Sequence, residues 1–141
     1  MARVLAIDYG RKKVGLAVTD PLQIIANGLE TVPTHTLLDY LKKYIQKEDV
    51  ETIVVGHPKQ MDNTDSESMV YIKPFLKKLK KLFPDMNIEM MDERFTSKIA
   101  FQTMIDGGLK KKARQNKELV DTISATIILQ SWMEKQKFSL R

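Results

Sequence analysis

Two short apolar runs, RVLAID (3–8) and VGLAVT (14–19), stand only five residues apart. Each is short, apolar and bounded by turn residues, so each reads as a strand. The intervening YGRKK suits a hairpin loop. This pairing constrains everything downstream, because it opens the chain with antiparallel β-structure. DPL then turns the chain at Asp20 and Pro21. IIANGLETV (24–32) reads as a third strand, with a bulge expected at Gly28.

After these strands the period changes. Leu37, Leu38, Leu41, Tyr44 and Ile45 recur at helical spacing, with Thr34 or Thr36 expected as the cap. TIVVG (52–56) reads as a buried strand. Met69, Ile72, Phe75, Leu76, Leu79 and Phe83 form a second helical stripe, which Pro74 should kink or shorten. NIEMMD (87–92) is a fifth strand. SKIAFQTMID reads as a short helix stopped by Gly107 and Gly108, and KELVDTISATIILQSWMEKQ as the last helix. Three strands followed by alternating helix and strand specify an α/β chain, a five-stranded mixed sheet flanked by helices. Right-handed crossovers should place the fourth and fifth strands beside the first. At 141 residues the expectation is a single domain over 1–141.

The chain has no cysteine, which excludes disulfides and thiolate zinc sites. No run approaches the roughly 18 apolar residues of a membrane span. The first apolar run breaks at Asp8, too early for a signal peptide. A cytoplasmic protein with no membrane partner is expected. The formal net charge of +5 biases it toward anionic partners. The lysines of KPFLKKLKKLF (73–83) follow an amphipathic pattern and read as a solvated helix face. Lys110, Lys111, Lys112 and Arg114 lack an apolar stripe and follow DGG. They read as a basic loop able to grip a phosphate backbone.

The candidate chemistry lies in carboxylates at element ends. Asp8 ends the first strand, Asp92 and Glu93 end the fifth, and Asp121 lies in the first turns of the last helix. Asp121 shares a helix face with Ser124, Ala125, Ile128 and Trp132, a face suited to packing on the sheet. Parallel strands end on one edge of a sheet, and ligands gather there. Such acids could hold Mg²⁺ or Mn²⁺, since hard cations take oxygen ligands. Two ions about 4 Å apart can activate water for phosphodiester hydrolysis. Strand alternation puts Asp92 and Glu93 on opposite faces without choosing between them. Asp20 before Pro21 reads as turn chemistry, Trp132 as core, and His35 has no evident role.

Four blocks resemble the YqgF family, bacterial proteins described as Holliday-junction-resolvase-like and as nucleases of pre-16S ribosomal RNA. AIDYGRKKVGLAVTD looks like the family's opening motif, with Asp8, Gly10, Lys12, Gly15 and Asp20 in place. IVVGHPKQMDNT is similar to its glycine-proline loop, DERFTS to its third block, and KELVDTISATIILQSW to its final helix. The resemblance covers nearly the whole chain. It implies an RNase H-like fold in which Asp8, Glu93 and Asp121 are the catalytic, metal-binding acids. Lys12, Lys13 and Arg94 stand close in sequence to these acids and are candidates for contacting a phosphate. Departures from the pattern are His57 for a leucine, Arg11 for a small residue, Lys13 for an arginine and Asn63 for a glycine. None removes an acid, and His57 reads as a packed or capping residue.

The resemblance implies a metal-dependent endonuclease acting on structured RNA, with pre-rRNA favoured. A resolvase of four-way DNA needs the same acids and should be a dimer, so both monomer and homodimer stay open. A catalytically silent nucleic-acid-binding module is the third reading. An actin-like kinase shares the Asp-x-Gly element but needs two such domains, and the chain has room for one.

Overall fold

The structure, a computed structural model, describes residues 2–57, 69–92 and 117–139. Five strands are β1 (Arg3–Asp8), β2 (Lys13–Thr19), β3 (Ala26–Pro33), β4 (Val50–His57) and β5 (Asn87–Asp92). A 3-10 turn (Thr34–Thr36) leads into α1 (Leu37–Lys47). The other described helices are α2 (Met69–Leu82) and α3 (Lys117–Ser139). The expected helix at SKIAFQTMID, its Gly107-Gly108 stop and the basic loop all lie outside the described residues.

The strand order is β3-β2-β1-β4-β5. β2 is antiparallel to β1 and β3, whereas β4 is parallel to β1 and β5. The hairpin start and the two crossovers therefore give the mixed sheet that the element order implied. Alternation along the strands sorts two cores. Leu5, Ile7, Val14, Leu16, Ile53 and Val55 pack with Leu37, Leu41, Ile72, Phe75 and Leu79 on the α1–α2 face. Val4, Ala6, Ala17 and Val54 pack with Ala125, Ile128, Leu129 and Trp132 on the α3 face. The lysines at 73, 77, 78, 80 and 81 are exposed on α2, as the amphipathic pattern requires. Pro74 lies inside α2, so the stripe continues through it.

Two local expectations are corrected. β3 begins at Ala26 and not at Ile24, because the Asp20 carboxylate takes the backbone N–H groups of Leu22, Ile24 and Ile25. Those amides are diverted to a side chain before they can join a ladder. Gln23, with φ 56°, sits inside the same turn. Of the expected caps Thr34 and Thr36, Thr36 is the N-cap residue of α1, but its side chain makes no cap hydrogen bond. Their hydroxyls donate instead, Thr34 to the Gly10 carbonyl (2.8 Å) and Thr36 to the Pro33 carbonyl (2.9 Å).

The bulge at Gly28 is present, and it has a structural task. Ala17 pairs with Gly28 and Leu16 with Glu30, so Leu29 is the extra residue of β3. Without it, Gly28 and Thr31 would point to opposite faces. With it, both meet α3. A Cβ on Gly28 would collide with Thr122 Cγ2. The Thr31 and Thr122 hydroxyls share a 3.0 Å hydrogen bond. Glu30 is left on the α1 side, where it accepts a hydrogen bond from the Tyr40 hydroxyl.

Gly28→Ala should therefore cost about 1–3 kcal/mol in urea unfolding, the range for overpacking. Thr122→Ser deletes the colliding methyl and keeps the hydroxyl, so combining it with Gly28→Ala should recover most of that loss.

Tyr40 yields a second prediction. Its phenol is pushed up to about 12, first by burial and then by the hydrogen bond to, and charge of, Glu30. Folding thus favours the protonated phenol. Its contribution to stability is whole below the ordinary tyrosine value of about 10. It disappears as pH rises through about 12. Phenolate absorbance should show a late-titrating tyrosine near that pH, and Tyr40→Phe should remove it.

Candidate active site

Asp8 is the last residue of β1, at the edge where β4 and β5 also end. By alternation with Val4 and Ala6 it faces the α3 side of the sheet. Its antiparallel partner on β2 is Gly15. On β4, the step after the Ile7–Val55 pair is Gly56, which shares the parity of Val54. Both same-face neighbours of Asp8 are thus glycines. The half-buried carboxylate stands on a stretch of sheet that neither adjoining strand covers with a side chain.

The start of α3 is fixed at the same level. Asp8 pairs with Gly15, and Gly15 with Thr31, so the three form one row across β1, β2 and β3. Thr31 is bonded to Thr122. Two strand spacings, about 10 Å, separate Asp8 from the strand that carries this anchor. Asp121 is the residue before Thr122, so its backbone is held at one end of the row that Asp8 ends. α3 then crosses β3, β2 and β1. Ala125, Ile128 and Trp132 are buried beneath it, which is the face the sequence pattern selected.

Asp92 ends β5 and pairs in register with His57, the last residue of β4. Glu93, Arg94, Lys110, Lys111, Lys112 and Arg114 lie outside the described residues. Among the described residues, no group of three His, Cys, Asp or Glu side chains stands together. Lys12 and Lys13 are exposed beside Asp8, although Lys13 opens β2 and is not a loop residue. The Thr34 amide donates to the Lys12 carbonyl (2.9 Å), which ties their turn to the 3-10 segment. A Cβ on Gly10 would strike the Lys13 carbonyl oxygen, so the turn requires glycine there.

Asp20 is separate from this edge, at the opposite end of β2. Three backbone N–H donors, that of Ile25 foremost, hold its carboxyl below the usual range. This is the turn role its sequence context indicated.

Sequence reasoning missed a group on the other side of the same edge. Tyr9 follows Asp8 directly and stacks on Phe75 of α2, with ring centroids 4.5 Å apart. The Arg11 guanidinium lies 4.6 Å from the centre of the Tyr71 ring. His35, assigned no role from sequence, borders the same cleft. The available signal was the Tyr directly after Asp8. Nothing in the spacing linked it to residues more than sixty positions away.

No described helix is long and apolar enough to cross a membrane. A family model described as "RuvX: Holliday junction resolvase" matches residues 2–135. A protein of Phocaeicola vulgatus named "Putative pre-16S rRNA nuclease" is 65% identical over 98% of this chain and 99% of its own length. One of the same name from Bacteroides fragilis is 61% identical over 97% and 99%. Among solved structures, Fowlpox virus resolvase with Holliday junction DNA aligns at TM-score 0.58 and 12% identity. That match covers 95% of this chain and 98% of the other. T. thermophilus RuvC in complex with a Holliday junction substrate aligns at 0.58 and 16%, covering 95% and 97%. These structural likenesses show the expected RNase H-like fold.

A prediction about Asp20 follows. Asp20→Ala should lower the urea midpoint by freeing three backbone donors, while cleavage per folded molecule stays at the wild-type rate. A loss of activity at full stability would give Asp20 a functional role.

Proposed function

The chain belongs to the RuvX family of Holliday junction resolvases, and on that premise we propose that it is a metal-dependent endonuclease of structured RNA, acting in 5′-end maturation of pre-16S rRNA. The observation that carries this reading is Asp8 at the sheet edge between two glycines, with the Asp121 end of α3 anchored to its row. The names of the relatives from P. vulgatus and B. fragilis favour RNA as the substrate.

Asp8, Glu93 and Asp121 would hold Mg²⁺ or Mn²⁺. All three offer the hard oxygen donors these ions take, and among the described residues both same-face strand neighbours of Asp8 are glycines. When bound, the metal supplies an activated water and neutralises charge on the leaving oxygen. The choice of Glu93 over Asp92 follows the family resemblance of the DERFTS block. Lys12 and Lys13 would grip phosphates beside Asp8. Arg94, Lys110, Lys111, Lys112 and Arg114 would extend that grip along the backbone. The protein would act as a cytoplasmic single domain.

The family description favours a second reading, resolution of four-way DNA junctions by a homodimer. One experiment separates the two. A 5′-extended 16S precursor RNA and a four-way DNA junction are each incubated with Mn²⁺ or Mg²⁺. Wild type is compared with Asp8→Asn, Glu93→Gln and Asp121→Asn. The RNA should be cut, and each variant should lose about 100-fold or more, because even partners behind metal ligands are worth about 10–100-fold. Metal should also raise the thermal midpoint of wild type more than that of Asp8→Asn. Cleavage of the junction alone would establish the resolvase reading. Folded protein that binds either substrate and cuts neither would point to a binding module.

A further inference from the structure

We propose that the cleft behind the candidate active edge, on the α1–α2 face, is a stacking site for one unpaired nucleobase of the bound strand. This inference rests on the nucleic-acid reading above and concerns a surface that the catalytic acids do not use.

The cleft has a volume of about 260 Å³ and opens where β1 ends and α1 and α2 begin. Its floor is the stacked pair Tyr9 and Phe75, of which Phe75 is buried. Its rim carries Tyr71, 41% exposed although aromatic, together with exposed His35 and Lys78. Arg11 lies over the Tyr71 ring. None of the described lining residues is acidic. Aromatic faces interleaved with cationic side chains are the composition that holds single-stranded nucleic acid. The rings stack on bases and the cations meet phosphates. A purely apolar partner would leave Arg11 and Lys78 without complementary charge. The volume lies below the about 300–1,000 Å³ typical of drug-sized ligand pockets, a scale suited to one base and not to a folded element.

Position is the second argument. Tyr9 is bonded to Asp8, so their Cα atoms are about 3.8 Å apart. Alternation sends Asp8 to the α3 side, whereas Tyr9 packs with the α1–α2 core. A strand whose phosphate lies at Asp8 would bring a neighbouring base within reach of the aromatic cleft. The cleft selects substrates with an unpaired nucleotide flanking the cut, and it pulls that nucleotide away from the duplex.

The test measures binding in EDTA, so its outcome is independent of hydrolysis. Failure of the nuclease reading would leave this readout intact. Three probes are compared by fluorescence anisotropy: a blunt RNA duplex, the same duplex with a single-stranded RNA flank, and one with a DNA flank. Tyr71→Ala should weaken binding of the flanked probes by about 10-fold, the scale of one base–aromatic stack, and leave the blunt probe unchanged. Tyr71→Phe should bind as wild type. An abasic residue at the stacked position should abolish the difference between wild type and Tyr71→Ala. A loss on both flanks shows recognition of the base alone, and a loss confined to the RNA flank adds a contact to the 2′-hydroxyl. Equal binding of all probes by Tyr71→Ala and wild type would overturn the proposal. So would an equal loss on blunt and flanked probes, or a Tyr71→Phe variant as weak as Tyr71→Ala.

Discussion

The extra residue in β3 is the constraint on which the arrangement of the candidate site depends. A regular strand would give Gly28 and Thr31 to opposite faces. The bulge at Leu29 gives both to α3. Gly28 supplies a close approach and Thr31 a hydrogen bond, and the two together fix the height of the helix on the sheet. Thr31 shares a row with Gly15 and Asp8, so fixing Thr122 also sets the level of Asp121 relative to Asp8. The same bulge leaves Glu30 beside Tyr40, coupling α1 to the strand from the other face.

The edge where β1, β4 and β5 end has two chemically different sides. On the α3 side stands a carboxylate whose strand neighbours among the described residues are both glycines, suited to a hard cation and a phosphate. On the α1–α2 side stand rings and cations, suited to a base. One peptide bond, between Asp8 and Tyr9, joins the two. Strand alternation is what separates them, because successive residues must leave a sheet in opposite directions. The hairpin turn between β1 and β2 serves both, carrying Lys12 beside the acid and Arg11 onto Tyr71. Its shape depends on Gly10 and on the Thr34 hydroxyl bound to the Gly10 carbonyl.

Much of this was legible in the sequence. β1 and β5 have the boundaries their apolar runs indicated, and the β2, β4 and last-helix patterns located their elements. Gly28 marked its bulge, and the Ala125–Ile128–Trp132 face is buried. Errors arose where a side chain competed with the backbone. Asp20 captured three amides and delayed β3, and the threonines before α1 donated to carbonyls where caps would accept. Such competition depends on three-dimensional position, which period and propensity do not encode. The position of Asp8 was legible because it ends an apolar strand. The aromatic cleft was not, since Tyr9, His35 and Tyr71 come from three separate elements.

The sequence by itself determined the kinds of element, their order and the residue types available for chemistry. Hydrophobic period is a local property, and alternating strands and helices leave few topologies open. Only the tertiary structure decided which residues share a row and a face. That depended on register, on one inserted residue in β3, and on the contact of Thr122 with Gly28 and Thr31. A one-residue shift in a strand reverses every side chain beyond it. The row that links Asp8 to the strand anchoring α3, and the meeting of Tyr9 with α2, are therefore consequences of packing that no single segment contains.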